Sequence, residues 1–308
     1  MKKDLTSIAD LSKQEIIELL QEAAQLKAEI SRQAVLPLAH GKMGVLIFEK
    51  PSLRTRVTFE RALHQLGATS TYLSPSDVGL GVRETVPDVA RNLSRWIDII
   101  IARVFEHEKI TQLAQNATVP VINALSDLEH PCQILADLLT IVDHHGTLDG
   151  VIVAWTGDGN NVCHSLMLAA GLLGFKLNVA TPKGFEPAAD ITARSRQLAE
   201  RSGGEINLTY DPCTAVADAD FVYTDVWASM GQESEAEARR QIFQPYQLNR
   251  QLLARAKPTA RVLHCLPAHR GEEITDEVLD GPQSLVLDQA ENRLHIQRAI
   301  LARLLKND

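Results

Sequence analysis

Aromatic residues are scarce in this sequence, at 5%, and cysteine occurs four times, at Cys132, Cys163, Cys213 and Cys265, with no CxxC pair. That spacing argues against a zinc knuckle or a disulfide framework and fits reduced thiols, so no metal is expected. Long apolar runs are missing too. The longest, LMLAAGLLGF at 166–175, is about half of the roughly 20 residues a membrane span needs, and reads as a buried helix. The opening MKKDLTSIAD has two lysines but no apolar stretch behind them, so no secretory leader is expected and the reading is cytoplasmic. Positive charge is in deficit: 31 Lys and Arg against 39 Asp and Glu leave a net charge of −8. A nucleic-acid surface needs clustered cations to displace counterions, so neither nucleic acid nor membrane is an expected partner. Local basic clusters point instead to small anions.

What is present is an ordinary globular composition, 45% hydrophobic and 23% charged, over 308 residues. Single cores tend to split beyond ~250 residues, which favours two domains. SKQEIIELLQEAAQLKAEI opens with Ser12 and Glu15 in capping-box spacing and continues with Ile16, Leu19, Leu20, Ala23 and Leu26 at helical period. Short β-rich runs follow at 43–49, 69–74, 98–104 and 119–125, separated by helical patterns. HPCQILADLLTIVDHHG (130–146) reads as a long helix ending at Gly146, after which the alternation restarts with GVIVAWTG, KLNVATP, EINLTY, FVYTDVW, ARVLHCLPA and SLVLDQA. ENRLHIQRAILARLLKND reads as a terminal helix. Alternating β and α predicts an α/β protein of two domains, each a parallel sheet flanked by helices, joined by long helices. The expected domains are 1–130 with the C-terminal helix 291–308 packing back, a connecting helix 131–146, and 147–290. Ligands are expected at the carboxyl ends of the strands.

Chemistry gathers at those ends. FEKPSLRTRVTF places Ser52, Leu53, Arg54, Thr55 and Arg56 between a strand and a helix start, where backbone N–H groups, the helix dipole and two guanidiniums suit a phosphate dianion. The bland alternative is a pair of solvated arginines. In HPCQ, Pro131 suits the first helical position, and His130 and Gln133 face the same strand end. Neutral His and Gln can donate to a carbonyl oxygen, although His130 also reads as a plain helix cap. Arg103 ends a strand, and Asn292 and Arg293 stand at the start of the terminal helix pattern. Asp225 ends FVYTDVW, where a carboxylate suits a substrate ammonium or serves a turn, with Ser229 and Met230 just after it. HCLPAHRGEE sets Cys265 and Leu266 before Pro267 at another strand end, where the Leu266–Pro267 bond is a candidate for cis; Cys265 is either inert packing or reactive.

TGDGNN after VIVAW invites a dinucleotide reading, but Val162 stands where the third glycine belongs, and KLNVATP ends in Thr181 and Pro182 rather than an acid. A nicotinamide cofactor is rejected. Asn160 and Asn161 offer amides over a helix start, as caps or as ligands.

Taken in order, FEKPSLRTR, HPCQ, GDGNN, DVWASMG, HCLPAHRG and ENRLH resemble the ornithine carbamoyltransferases over nearly the whole chain. The resemblance implies that Ser52, Leu53, Arg54, Thr55 and Arg56 bind the phosphate of carbamoyl phosphate, and that Arg103, His130, Gln133 and Arg293 hold its carbamoyl group and anhydride oxygen. It implies ornithine contacts through Asn161, Asp225, Ser229 and Met230, with Cys265 and Leu266 beside the reacting δ-amine. Arg103, His130 and Cys265 are the catalytic expectation. No cofactor is implied, and the assembly implied is a homotrimer or a multiple of trimers. Two departures stand out: Leu53 replaces a threonine of the family's phosphate motif, and Gly79, in the segment 76–84, stands where many members carry a glutamine that reaches a neighbouring subunit's site. Rival readings are another acceptor (putrescine, an N-acylornithine or aspartate) or a non-catalytic amino-acid sensor. An aspartate enzyme needs cations where DVWASMG offers an acid.

Overall fold

The computed structural model describes residues 4–30, 35–228 and 236–306. The chain divides into two compact units, residues 1–139 with 291–308, and residues 140–290.

In the first unit four strands, β1 (Met43–Phe48), β2 (Thr69–Leu73), β3 (Ile99–Arg103) and β4 (Val121–Leu125), form a parallel sheet in the order β2-β1-β3-β4. Parallel neighbours require crossovers, supplied by helices Leu53–Gln65, Val86–Leu93 and His107–Asn116. Helices cover the sheet, so its central strands carry continuous apolar runs such as IIIA in β3, buried at every residue. Val45, Ile47, Ile100 and Ala102 pack against Val89, Leu93, Ile110 and Leu113 of two crossover helices. Helix Leu53–Gln65 buries Thr55, Phe59, Ala62 and Leu63, the spacing of one helical face. Truncating Phe59 to Ala would cost about 3–5 kcal/mol, enough to unseat the helix that carries the SLRTR motif. The capping box read at the first helix is present: the Ser12 N–H donates to Glu15 Oε2 at 2.8 Å and the Glu15 N–H to Ser12 Oγ at 3.2 Å.

In the second unit β5 (Ile152–Thr156), β6 (Lys176–Ala180), β7 (Glu205–Thr209), β8 (Phe221–Thr224) and β9 (Arg261–His264) form a parallel sheet in the order β7-β6-β5-β8-β9. LMLAAGLLGF belongs to helix Asn161–Leu173, almost wholly buried and ended by Gly174 at φ 87, a left-handed cap that suits glycine.

One expected strand is absent. SLVLDQA makes only a single bridge, Ser284 to Val262, before entering helix Val286–Leu305, so the terminal helix starts five residues ahead of Glu291. After that bridge the stretch runs into LDQAENRLHIQ, rich in Leu, Gln, Ala and Glu, which lose little freedom in a helix. Its β-like opening was too short to compete.

In each sheet the chain leaves its first strand to build on one side and then crosses to the other. The reversals fall between β1 and β3 and between β5 and β8. A crevice at the carboxyl ends is expected at such points. Ser52 and Arg103 follow or end β1 and β3, while Asn160 and Asp225 follow β5 and β8.

Candidate active site

Ser52 caps helix Leu53–Gln65, its Oγ accepting the Thr55 N–H at 3.3 Å. No acidic residue occupies that first turn, so the remaining N–H groups and the dipole keep their positive character for an anion. Thr55 is buried, and its Oγ1 accepts from Arg293 Nη2 at 3.2 Å. Arg293 Nη1 donates to Gln133 Oε1, and Gln133 Nε2 donates to Asp137 Oδ1 at 2.8 Å. Four of the sequence candidates, Ser52, Thr55, Gln133 and Arg293, are thereby linked through hydrogen bonds.

Pro131 begins helix Pro131–His145, with His130 just ahead of it and its carbonyl accepting the Gln133 N–H at 3.1 Å. The imidazole of His130 is 4% exposed. Burial, then the guanidiniums of Arg293 and Arg103, hold its pKa well below the usual histidine value. At neutral pH it is an uncharged donor and acceptor among cations. Arg103 itself is buried at the end of β3, opposite Phe48 of β1.

Two residues of the motif look elsewhere. Arg56 is exposed; its Nε donates to Glu60 Oε1 at 3.0 Å and its guanidinium lies 3.8 Å from the Tyr72 ring centroid. Residues one or two apart on a helix point to different sides, which places the exposed Arg56 off the faces of both Thr55 and the half-buried Arg54. Leu53 turns its side chain outward, 75% exposed, so only its backbone is left to serve an anion.

In the second unit, Asp225 is 6% exposed and well supplied with donors. Asn160 Nδ2 reaches Oδ2 at 2.8 Å, while Cys265 Sγ and the Val226 N–H reach Oδ1 at 2.9 and 2.8 Å. Asn160 Oδ1 meanwhile caps helix Asn161–Leu173 by accepting from Val162 and Cys163, at 3.0 and 3.1 Å. Asn160 thus does the work of a cap and of an aspartate partner, while Asn161 is the first helical residue. The Leu266 N–H donates to His264 Nδ1 at 2.9 Å, and His264 Nε2 faces Glu273 Oε1 at 3.0 Å, both side chains fully buried. That geometry makes the imidazole accept at Nδ1 and donate from Nε2. Leu266 holds φ 57, and the Leu266–Pro267 bond is cis, as the sequence suggested. Asp225, His264 and Cys265 offer ligand atoms within 4.8 Å of one another, but both His264 nitrogens are engaged by Leu266 and Glu273. Ser229 and Met230 lie outside the described residues.

Sequence reasoning missed Asp158 and Arg239, which belong to the surroundings of Asp225. Arg239 Nη1 donates to Asp158 Oδ2 at 3.2 Å and to the Trp227 carbonyl at 2.8 Å, with its guanidinium 4.9 Å from the Phe185 centroid. Burial pushes the Asp158 carboxyl up to about 6; Arg239 opposes that shift and Asp225 adds to it. Asp158 was in view within TGDGNN, but nothing in the pattern paired it with an arginine 81 residues later. All four cysteines are free, and burial raises the thiol of Cys132 to about 12 and that of Cys163 well above its usual value.

A four-stranded parallel sheet with cations, a neutral histidine and a capped helix start at its switch point, and a five-stranded one with a donor-rich carboxylate at its own, define a group-transfer enzyme that handles an anion and an amine. Residues 3–143 match the family model described as aspartate/ornithine carbamoyltransferase, carbamoyl-P binding domain, and residues 149–304 match its Asp/Orn binding domain. The chain belongs to the aspartate/ornithine carbamoyltransferase family. Within it the similarity is to ornithine carbamoyltransferases: the chain is 52% identical to that of Pyrococcus abyssi over 303 residues, 98% of this chain and 96% of the relative. It is 52% identical over 300 residues to the anabolic ornithine carbamoyltransferase of Pyrococcus furiosus, 97% of this chain and 95% of the relative. The solved structure of ornithine carbamoyltransferase from Pyrococcus furiosus superposes with a TM-score of 0.97 at 51% identity, covering 99% of this chain and 98% of that one.

Proposed function

We propose that this protein transfers the carbamoyl group of carbamoyl phosphate to the δ-amine of L-ornithine, giving L-citrulline and phosphate in the biosynthetic direction. The observation that carries the reading is the Asp225 carboxylate, held by Asn160 and Cys265 at the strand ends of the second unit. An ammonium substrate needs such an acid, and a dicarboxylate acceptor would be repelled by it. The near-full-length similarity to an enzyme named anabolic supports the direction.

In this reading the helix start at Ser52, Leu53, Arg54 and Thr55 receives the phosphate, with Arg56 at its edge. Arg103, Arg293 and neutral His130 surround the carbamoyl group. Gln133, read from the sequence as a donor to the carbonyl oxygen, instead gives its amide nitrogen to Asp137 and presents its oxygen on the Arg293 side, an acceptor suited to the carbamoyl NH2. The neutral δ-nitrogen attacks the carbamoyl carbon, negative charge collects on the carbonyl oxygen, and His130 and the guanidiniums stabilise it. The C–O bond to phosphate then breaks, phosphate leaves with the electron pair, and the nitrogen gives up its extra proton. Asp225 takes the α-ammonium, with Asn161, Ser229 and Met230 as further ornithine contacts and Cys265 and Leu266 beside the δ-amine. The δ-amine of free ornithine has a pKa near ~10.4, so kcat/KM for ornithine should rise roughly tenfold per pH unit at the acid end. Cys265→Ser should keep that slope.

The same proposal includes residence in the cytoplasm and assembly as a homotrimer or multiple of trimers, with segment 76–84 reaching a neighbouring subunit. Exposed Leu53, Val57 and Val82, at 75%, 52% and 90%, support an assembled state. Sedimentation showing a fully active monomer would contradict it.

The deciding experiment supplies carbamoyl phosphate with ornithine, putrescine, N-acetylornithine or aspartate in separate reactions, following phosphate release and product mass. Turnover with ornithine alone is expected. Faster turnover with putrescine or the acylated amino acid would reassign the acceptor, and no turnover with any acceptor would favour a sensor.

A further inference from the structure

Asp137 has no place in the roles assigned so far, yet it is fully buried, one turn beyond Gln133 on helix Pro131–His145. Its Oδ1 accepts from Gln133 Nε2 at 2.8 Å. On the other side of that amide, Gln133 Oε1 accepts from Arg293 Nη1, and Arg293 Nη2 reaches Thr55 Oγ1 at 3.2 Å. The two ends of an amide are nearly the same size, so packing alone seldom decides which way it points. Here chemistry decides. A guanidinium can only donate, so the oxygen end of the Gln133 amide faces Arg293, and its nitrogen end donates to the Asp137 carboxyl oxygen.

We propose that Asp137 is a positioning residue for carbamoyl phosphate: by holding the nitrogen end of the Gln133 amide, it directs the oxygen end toward Arg293 and the carbamoyl group. The inference rests on the reading of this unit as the carbamoyl phosphate site. Two consequences follow from one carboxylate. Gln133 is presented as an acceptor, selecting an NH2 over a carbonyl or hydroxylate oxygen. Arg293 meets an oxygen rather than an NH2 group. Without the Asp137 acceptor the amide nitrogen loses its buried partner, and the orientation of Gln133 is left to Arg293 alone.

The test compares the parent enzyme with Asp137→Asn, Gln133→Ala and the double variant. Asparagine is close to aspartate in shape but can either donate or accept, so it permits both amide orientations. The expected result is a roughly tenfold weaker apparent affinity for carbamoyl phosphate in Asp137→Asn, with inorganic phosphate, read by product inhibition, binding within about twofold of the parent. Phosphate is held by the helix start and makes no use of the Gln133 amide, so a general loss of structure would weaken both ligands together. In the Gln133→Ala background, Asp137→Asn should add nothing further, since its effect passes through that amide. Multiplicative losses, equal losses for the two anions, or unchanged carbamoyl phosphate affinity would each overturn the proposal. Should Asp137→Asn fail to fold, Asp137→Glu provides the second variant: it keeps the acceptor but displaces it, and the same selective loss is expected. A parent enzyme that turns over carbamoyl phosphate and ornithine while these variants behave additively would remove the inference and leave the function standing; a parent that turns over neither would remove the function itself.

Discussion

The thiol of Cys265 donates to Asp225 Oδ1 at 2.9 Å, which ties the residue after β9 to the residue after β8. With Asn160 on the other oxygen at 2.8 Å, the Asp225 carboxylate is fixed in place and oriented before any substrate arrives. An incoming ammonium therefore meets a carboxylate already held by its donors.

Replacing Asp225 with Asn should therefore reduce kcat/KM for ornithine by roughly 100-fold, the loss expected when a buried charge-assisted contact is removed. Calorimetry with carbamoyl phosphate should show affinity within about twofold of the parent. Equal losses for the two substrates would break the assignment of Asp225 to the amine.

Arg54 and Arg56 should differ sharply despite their symmetry in the sequence. Arg54→Ala is expected to cost ~3 kcal/mol in transition-state stabilisation, about two orders of magnitude in kcat/KM. Arg56 is already engaged by Glu60 and Tyr72, so Arg56→Ala should cost only a few-fold. Steady-state kinetics at varied carbamoyl phosphate distinguish them; equal losses would put both guanidiniums on the ligand.

Acid should weaken the fold before it protonates His130. Burial holds His130, His107 and His295 below the usual histidine value, so below about pH 6.5 the unfolded chain binds protons that the native one refuses. The stability they contribute is present above that pH and lost as pH falls. For each histidine the slope is at most about 1.4 kcal/mol per pH unit. Thermal melts from pH 7.5 to 5.5 should show a falling midpoint, and His130→Gln should flatten the fall.

Asp158 titrates in the opposite sense. Its carboxyl is raised to about 6 in the native state against an unfolded value near ~3.9, so the stability it contributes is full below the unfolded value and is lost as pH rises through 6. Asp158→Asn imitates the protonated form. It should raise the thermal midpoint at pH 8 and leave it nearly unchanged at pH 4, while lowering ornithine turnover because Arg239 loses its carboxylate. A lower midpoint at pH 8 would show that the ion pair outweighs burial.

Much of this protein is written locally. Alternating runs of period 2 and period 3.6 marked the strands and helices, because each short segment must bury one face whatever its partner is. The same local logic placed Ser52, Arg103, His130, Asp225 and Cys265 at strand ends or helix starts. Strand order was not legible, since periodicity reports that a face is buried and is silent on the strand beside it. The tertiary structure alone decided that Gln133 meets Arg293 across 160 residues, that Asp158 meets Arg239, and that Asn160 touches Asp225. It also turned SLVLDQA into a helix after a single bridge and swung Arg56 onto Tyr72. These contacts join residues far apart in the chain, and which donor finds which acceptor there depends on the folded positions of both, information that neither segment holds by itself.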